Sequence, residues 1–214
     1  LQPYFGTLEI STAEGPYVVL DSYNFTNTIE DNPVVMGATV NIDLSLINIG
    51  VESTNYIDIT LSTTSTVVEL IDGTDLTGAL SFIAAVNSTV VNGGSAIDLL
   101  QATANDVSLN GGAGNDILEG GLGNDVYQFS LGDGRDVIKN SDSAGIDQLV
   151  LDSSIVLNDL VFERDRYDLT VSIAGQDDSI TVSNWYHGKN HQLDSINVGD
   201  YQLTNELVAQ LVQA

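Results

Sequence analysis

Residues 110–129 read NGGAGNDILEGGLGNDVYQF, and six glycines and two aspartates in this stretch fall at matched positions nine residues apart. A period of nine is too short for a helical repeat, but it fits a tight six-residue turn followed by a three-residue strand. Written as G-G-x-G-x-D-x-U-x with U apolar, the unit is filled by Gly111, Gly112, Gly114, Asp116 and Leu118. It is filled again by Gly120, Gly121, Gly123, Asp125 and Tyr127. Glycine permits positive φ and close backbone approach, so carbonyl oxygens can converge with no Cβ between them. Aspartate supplies formal charge, and the U residue points inward to build a core.

Composition names the partner of such a site. Thirty Asp and Glu stand against five Lys and Arg in 214 residues, a formal charge of −25. A surface of that sign repels phosphate backbones and anionic headgroups, which argues against nucleic acid and against direct membrane insertion. Cations are the natural ligands. Convergent carboxylate and carbonyl oxygens suit a hard ion, and an irregular shell of six to eight oxygens favours calcium over magnesium, which keeps its waters. The absence of cysteine excludes disulfides and thiolate metal sites. No apolar stretch approaches the roughly 20 residues of a membrane helix. The opening LQPYFGTLEI has neither the charge nor the apolar run of a signal peptide. A fragment of a longer protein, or one whose export signal lies elsewhere, is expected to look this way.

Three textures follow one another along the chain. Residues 1–90 alternate in short runs that predict strands at YVVL, TVNIDLSLI, YIDITL, TVVEL and ALSFIA, with turns at NIGVESTN and DGTDLTG. Residues 91–152 carry the glycine-aspartate units. Residues 153–214 return to alternation in DLVFE, DLTVSI and SITVSNW, which with QLVL at 148–151 could form a small meander turning at ERDRY and AGQDD. Leu207, Val208, Leu211 and Val212 recur at helical spacing behind a Thr-Asn start, predicting a short C-terminal helix.

The two full units resemble the RTX (repeat-in-toxin) family, whose nonapeptides wind into a parallel β-roll with calcium ions between stacked turns. The resemblance extends to weaker units: GGSAIDLL with Asp98, ATANDVSL with Asp106, LGDGRDVI with Asp136 and SAGIDQLV with Asp147. It also takes in the segments after the repeats, from GDGRDVI to ELVAQLVQA, which look like the domain that follows the roll in haemolysin-type exoproteins. It implies an all-β fold: a parallel β-roll, a β-strand cap and a short C-terminal helix. A β-rich N-terminal region, either a β-sandwich or further β-helical coils, precedes the roll.

With two turns per coil, aspartates two repeats apart stack. Asp98 then groups with Asp116 and Asp136, and Asp106 with Asp125 and Asp147. By the same resemblance each of several calcium ions takes these carboxylates with turn carbonyls, here those of Gly111, Gly112, Ala113, Gly114, Gly120, Gly121, Leu122 and Gly123, and of residues 131–136, Asp133 among them. Parallel strands lie about 4.8 Å apart, and two carboxylates that close repel by about 0.9 kcal/mol even in bulk water. Metal binding and folding are thus expected to be one event. The resemblance further implies export through a type I secretion channel and an extracellular location, with the secretion machinery as partner.

The remaining motifs attract structural readings. His187 and His191 have the spacing of a helical zinc pair, but Gly188 lies between them and no glutamate completes a hydrolytic motif. Trp185 and Tyr186 follow a strand and are expected to pack the cap. Arg135, Lys139, Arg164 and Arg166 are expected at most to pair with Asp133, Asp165 or Asp168. With both histidines together near the end, a Ser-His-Asp triad has no support, so no enzyme is expected. The leading expectation is a secreted calcium-binding module at the end of a larger exoprotein. The alternatives are a surface adhesin or calcium-dependent self-assembling surface layer, and the non-catalytic tail of a secreted hydrolase or toxin.

Overall fold

The computed structural model describes residues 90–103, 106–142 and 145–212 with their side chains and, before residue 90, the backbone of its strands. Those early strands are β1 (Thr7–Ser11), β2 (Val18–Asn27), β3 (Val40–Asn48), β4 (Tyr56–Ser62), β5 (Val68–Asp72), β6 (Ala79–Ala84) and β7 (Ser88–Asn92). The repeat region contributes β8 (Leu99–Ala102), β9 (Ser108–Asn110), β10 (Ile117–Glu119), β11 (Val126–Phe129), β12 (Arg135–Ile138) and β13 (Gln148–Leu151). The C-terminal part adds β14 (Leu160–Asp165), β15 (Asp168–Ile173), β16 (Ser179–Val182), β17 (Ser195–Val198), β18 (Tyr201–Thr204) and α1 (Asn205–Leu211).

Successive strands alternate between two parallel sheets. One runs β4-β6-β8-β10-β12-β16 and the other β5-β7-β9-β11-β13-β17, so each coil contributes one strand to each face of a roll. Strands of three or four residues suffice because register places one or two apolar side chains per strand inward. Leu100, Leu118, Ile138 and Val182 stack along one wall, and Val91, Leu109, Tyr127, Leu149 and Ile196 along the other. All are buried, and each contributes roughly 2 kcal/mol of burial against the unfolded chain. Tyr127 keeps its hydroxyl satisfied inside, accepting the Gly120 amide at 3.0 Å.

Parallel pairing does not stop at residue 90, since β6 and β7 pair directly with β8 and β9. Of the two architectures expected for the N-terminal part, the pairing of β4 through β7 is that of further coils, while β2 and β3 form a separate antiparallel pair and β1 joins β4 antiparallel. The turn residues expected between these strands, and the faces their side chains take, fall largely outside the described residues.

At the other end, β14, β15 and β16 form the expected antiparallel meander, and β18 folds back on β17. QLVL is not part of that meander. As β13 it lies in the opposite sheet between β11 and β17, because its register continues the coil below. Trp185, Phe162 and Leu203 close the core beneath these hairpins. Helix α1 buries Val208, and Val212 just after it packs against the core, whereas Leu207 and Leu211 face outward.

Candidate metal centre

The turns place Asp98, Asp116, Asp125 and Asp147 immediately before a strand and Asp136 as the second residue of β12, and stacking makes each a rung. The Asp98 amide donates to Asp116 Oδ1 at 2.7 Å, and the Asp116 amide to Asp136 Oδ1 at 2.9 Å. On the opposite edge the Val107 amide donates to Asp125 Oδ1 at 3.1 Å and the Asp125 amide to Asp147 Oδ1 at 3.0 Å. The Asp147 amide continues the series to Asp194 Oδ2 at 2.9 Å. Asp98, Asp116, Asp125, Asp136 and Asp147 expose no more than 2% of their surface.

One oxygen each of Asp116, Asp125, Asp136 and Asp147 is thereby used; the second decides the chemistry. Asp98 Oδ2 accepts the Gly94 amide and Asp147 Oδ2 the Asn140 side chain. Asp116 Oδ2, Asp125 Oδ2 and Asp136 Oδ2 are buried and have no hydrogen-bond partner. A buried carboxylate oxygen without a partner carries a large desolvation cost, which only a proton or a cation offsets.

The space beside these oxygens is kept clear by glycine. A Cβ on Gly111 or Gly120 would collide with the carboxylate of Asp116 or Asp125. One on Gly112, Gly114, Gly134 or Gly145 would collide with the carbonyl of Gly94, Ala96, Gly114 or Gly123 in the coil below. The last four glycines also have positive φ. The turn columns are therefore lined by carboxylate and main-chain oxygen. Among the described residues no three carboxylates or imidazoles converge as a cluster, so an ion here would draw most of its shell from the main chain. This donor set fits calcium, which the carboxylates of Asp116, Asp125 and Asp136 and carbonyls of the glycine turns would hold.

Burial governs the acidity of these groups. It pushes the carboxyls of Asp116 and Asp125 up to about 7 and that of Asp136 up to about 8; neighbouring aspartates add to the rise. Burial likewise raises Asp133 and Asp147. A cation keeps such carboxylates ionised where burial alone would protonate them.

Asp106 does not join the ladder. Its carboxylate is exposed and accepts the backbone and side-chain N–H of Asn124 at 2.8 and 2.9 Å, which holds its pKa below the usual range. Register pairs Ser108 with Val126, so Val107 stands opposite Asp125 and occupies the rung expected of Asp106. Asp133 bonds back into its own turn, accepting the Ser130 amide at 2.7 Å. The side chains of Ala113 and Leu122 face outward, and the carbonyl of Gly114 accepts the Arg135 amide at 3.3 Å.

Three further acids belong to the columns. Asp142 Oδ2 accepts the Gly123 amide at 3.3 Å. It stands five residues before Asp147, as Gly120 stands before Asp125, so a repeat alignment allowing aspartate in the first slot would find it. Asp178, in the hairpin between β15 and β16, accepts the amides of Gly132 and Gly134, both at 3.1 Å. With Asp194 it terminates the stack where no further coil follows, and no local sequence signal marks either residue.

The other sequence motifs supply no carboxylate to the turn columns. His187 and His191 lie on successive 3-10 turns with ring centres 6.4 Å apart, and His191 Nδ1 sits 2.8 Å from the Asn140 carbonyl. Arg135 pairs with Asp177 at 3.5 Å, not with Asp133, Asp165 or Asp168, because register brings β12 beside β16. Arg164 lies over the Tyr186 ring at 4.1 Å.

Comparison with known families agrees with this geometry. Residues 92–127 match the RTX calcium-binding nonapeptide repeat, described in four copies, and residues 168–197 match the haemolysin-type calcium binding protein related domain. No curated protein matches the chain significantly. Such repeats are structural, non-catalytic elements. Residues 92–127 and 168–197 are thus similar to the repeat and to the following domain of the RTX haemolysin-type calcium-binding family.

Proposed function

We propose that the chain is the calcium-dependent β-roll module of a secreted exoprotein, folding as several calcium ions bind after export through a type I secretion channel. The observation that carries this reading is the set of buried, unpartnered oxygens on Asp116, Asp125 and Asp136. They make the metal-free roll unfavourable, so an acidic chain stays unfolded at low calcium and compacts where calcium is abundant. Bound calcium supplies the positive charge that lets the stacked carboxylates remain ionised. The protein's own part is to hold the carboxylates in register through the Asp98 and Asp116 amides, to clear space with glycine, and to exclude water with the apolar walls.

The reading divides the chain into a β-rich region at 1–90, a calcium-binding roll at 91–152 and a capping and secretion region at 153–214. Circular dichroism during calcium titration, with magnesium as control, tests it. A largely disordered metal-free chain should become β-rich near about 1 mM calcium, in the range of extracellular modules, and equal β content in chelator and in calcium would refute it.

A further inference from the structure

Two guanidiniums, two imidazoles and two phenols form one continuous face on the cap. Arg164 lies over Tyr186, Arg166 over Tyr167 at 5.6 Å, and Tyr167 packs against His187 with ring centres 4.2 Å apart and planes tilted by 50°. His187 in turn meets His191 edge-on. The Tyr186 amide donates to the Tyr167 carbonyl at 2.9 Å, and Arg164 Nε to the Arg166 carbonyl at 3.1 Å, which fixes the two ends relative to each other.

This is an unusual place to leave cations unpaired. In a chain of charge −25, the only ion pair among the described residues is that of Arg135 with Asp177, so Arg164 and Arg166 have no carboxylate within salt-bridge distance. Strand alternation turns Glu163 and Asp165 to the face opposite Arg164, and Asp168 is engaged by the Asn184 amide at 2.7 Å. Backbone conformation points the same way. Asp165 pairs with Asp168, so Arg166 and Tyr167 are the turn residues of a tight hairpin, and Arg166 takes φ +57°, where glycine or asparagine is favoured. The chain places an arginine there against local preference.

We propose that this face binds an acidic sugar, a pyranose bearing a carboxylate, free or at the end of a glycan. A guanidinium stacked on a phenol keeps its N–H edge available for paired hydrogen bonds to a carboxylate. Tyr167, 43% exposed, offers apolar ring surface to the C–H face of a sugar. Longer polyanions such as nucleic acid would run off the patch onto the acidic surface around it. Neither the calcium sites nor the roll take part.

The test uses the full chain in calcium, isotopically labelled and titrated with glucuronate, glucose or acetate while backbone amide shifts are followed. Glucuronate should shift the amides of Tyr167 and His187 saturably, with Kd on the order of 1 mM, and glucose and acetate should bind at least about tenfold more weakly. Arg166→Gly should fold, since glycine suits the turn, yet lose at least about tenfold in affinity; Arg164→Gln should weaken binding similarly. A glucuronate-ended oligosaccharide binding more tightly than the free acid assigns the site to glycans, and equal affinity assigns it to the free sugar. Acetate or glucose matching glucuronate, an Arg166→Gly variant binding as well as the parent, or no saturable shift would overturn the proposal.

Discussion

The backbone amide of Asp98 donates to the carboxylate of Asp116, eighteen residues further along and one coil above, at 2.7 Å. The acid that gives each turn its charge thus also sets the register of the coil beneath it. On the proposed reading, calcium affinity and roll stability would be carried by the same side chains.

Removing one of these charges should separate the two roles. Asp116→Asn keeps an acceptor for the Asp98 amide but removes the charge beside the unpartnered oxygen, so the calcium midpoint should rise about tenfold, equivalent to about 1.4 kcal/mol. Asp106→Asn, altering an exposed carboxylate bonded to Asn124, should leave the midpoint within about twofold. Calcium titrations followed by circular dichroism check both.

Glycine substitutions should sort by what a Cβ would meet. At Gly111 it would strike the Asp116 carboxylate, so Gly111→Ala should destabilise the calcium-bound roll by about 2–3 kcal/mol. Gly175, with φ +79° and nothing within 4 Å, should cost only the conformational strain of about 1–2 kcal/mol when replaced by alanine. Denaturant unfolding in saturating calcium measures the difference.

Acid should substitute in part for metal. The folded carboxyls of Asp116 and Asp125, near 7, and of Asp136, near 8, lie above their ordinary value of 3.8. Between those limits the folded, metal-free chain binds more protons than the unfolded one, so its stability falls as pH rises. Their protonation stabilises the metal-free fold fully below about pH 4 and is lost as pH passes through about 7 to 8. In chelator, β content should be greater near pH 5 than near pH 8. With calcium the dependence reverses: the midpoint should rise as pH falls below about 7, and binding there should release protons. Titrations at several pH values, with proton release followed by an indicator, provide the check; a midpoint independent of pH would contradict the assigned shifts.

The cap should hold the roll through Asp178. Asp178→Ala leaves the amides of Gly132 and Gly134 without their acceptor, costing about 1–3 kcal/mol for each that stays buried. Hydrogen exchange at those two amides should accelerate well before exchange at Leu109 or Leu118, which lie in the interior of the roll. Uniform acceleration would show that cap and roll open as one unit.

Within one turn and its strand, the sequence was decisive. Gly111 to Leu118 and Gly120 to Tyr127 each specify turn, charge and inward apolar residue by local chemistry, and both units fold as that pattern dictates. The alternation of DLTVSI and SITV is equally legible, since period two follows from strand geometry alone. Partner assignment was not local. The rungs lie 18, 20, 22 and 47 residues apart, because turns and insertions vary in length while the rise between strands does not. Counting repeats therefore put Asp106 on a rung that strand register gives to Val107, and it missed Asp178 and Asp194, which arrive from hairpins far along the chain. The amino-acid pattern by itself determined that carboxylates and bare backbone would meet in tight turns. Only tertiary stacking decided which carboxylates, since hydrogen bonding between coils fixes one common register for every strand and leaves each turn to adapt to it.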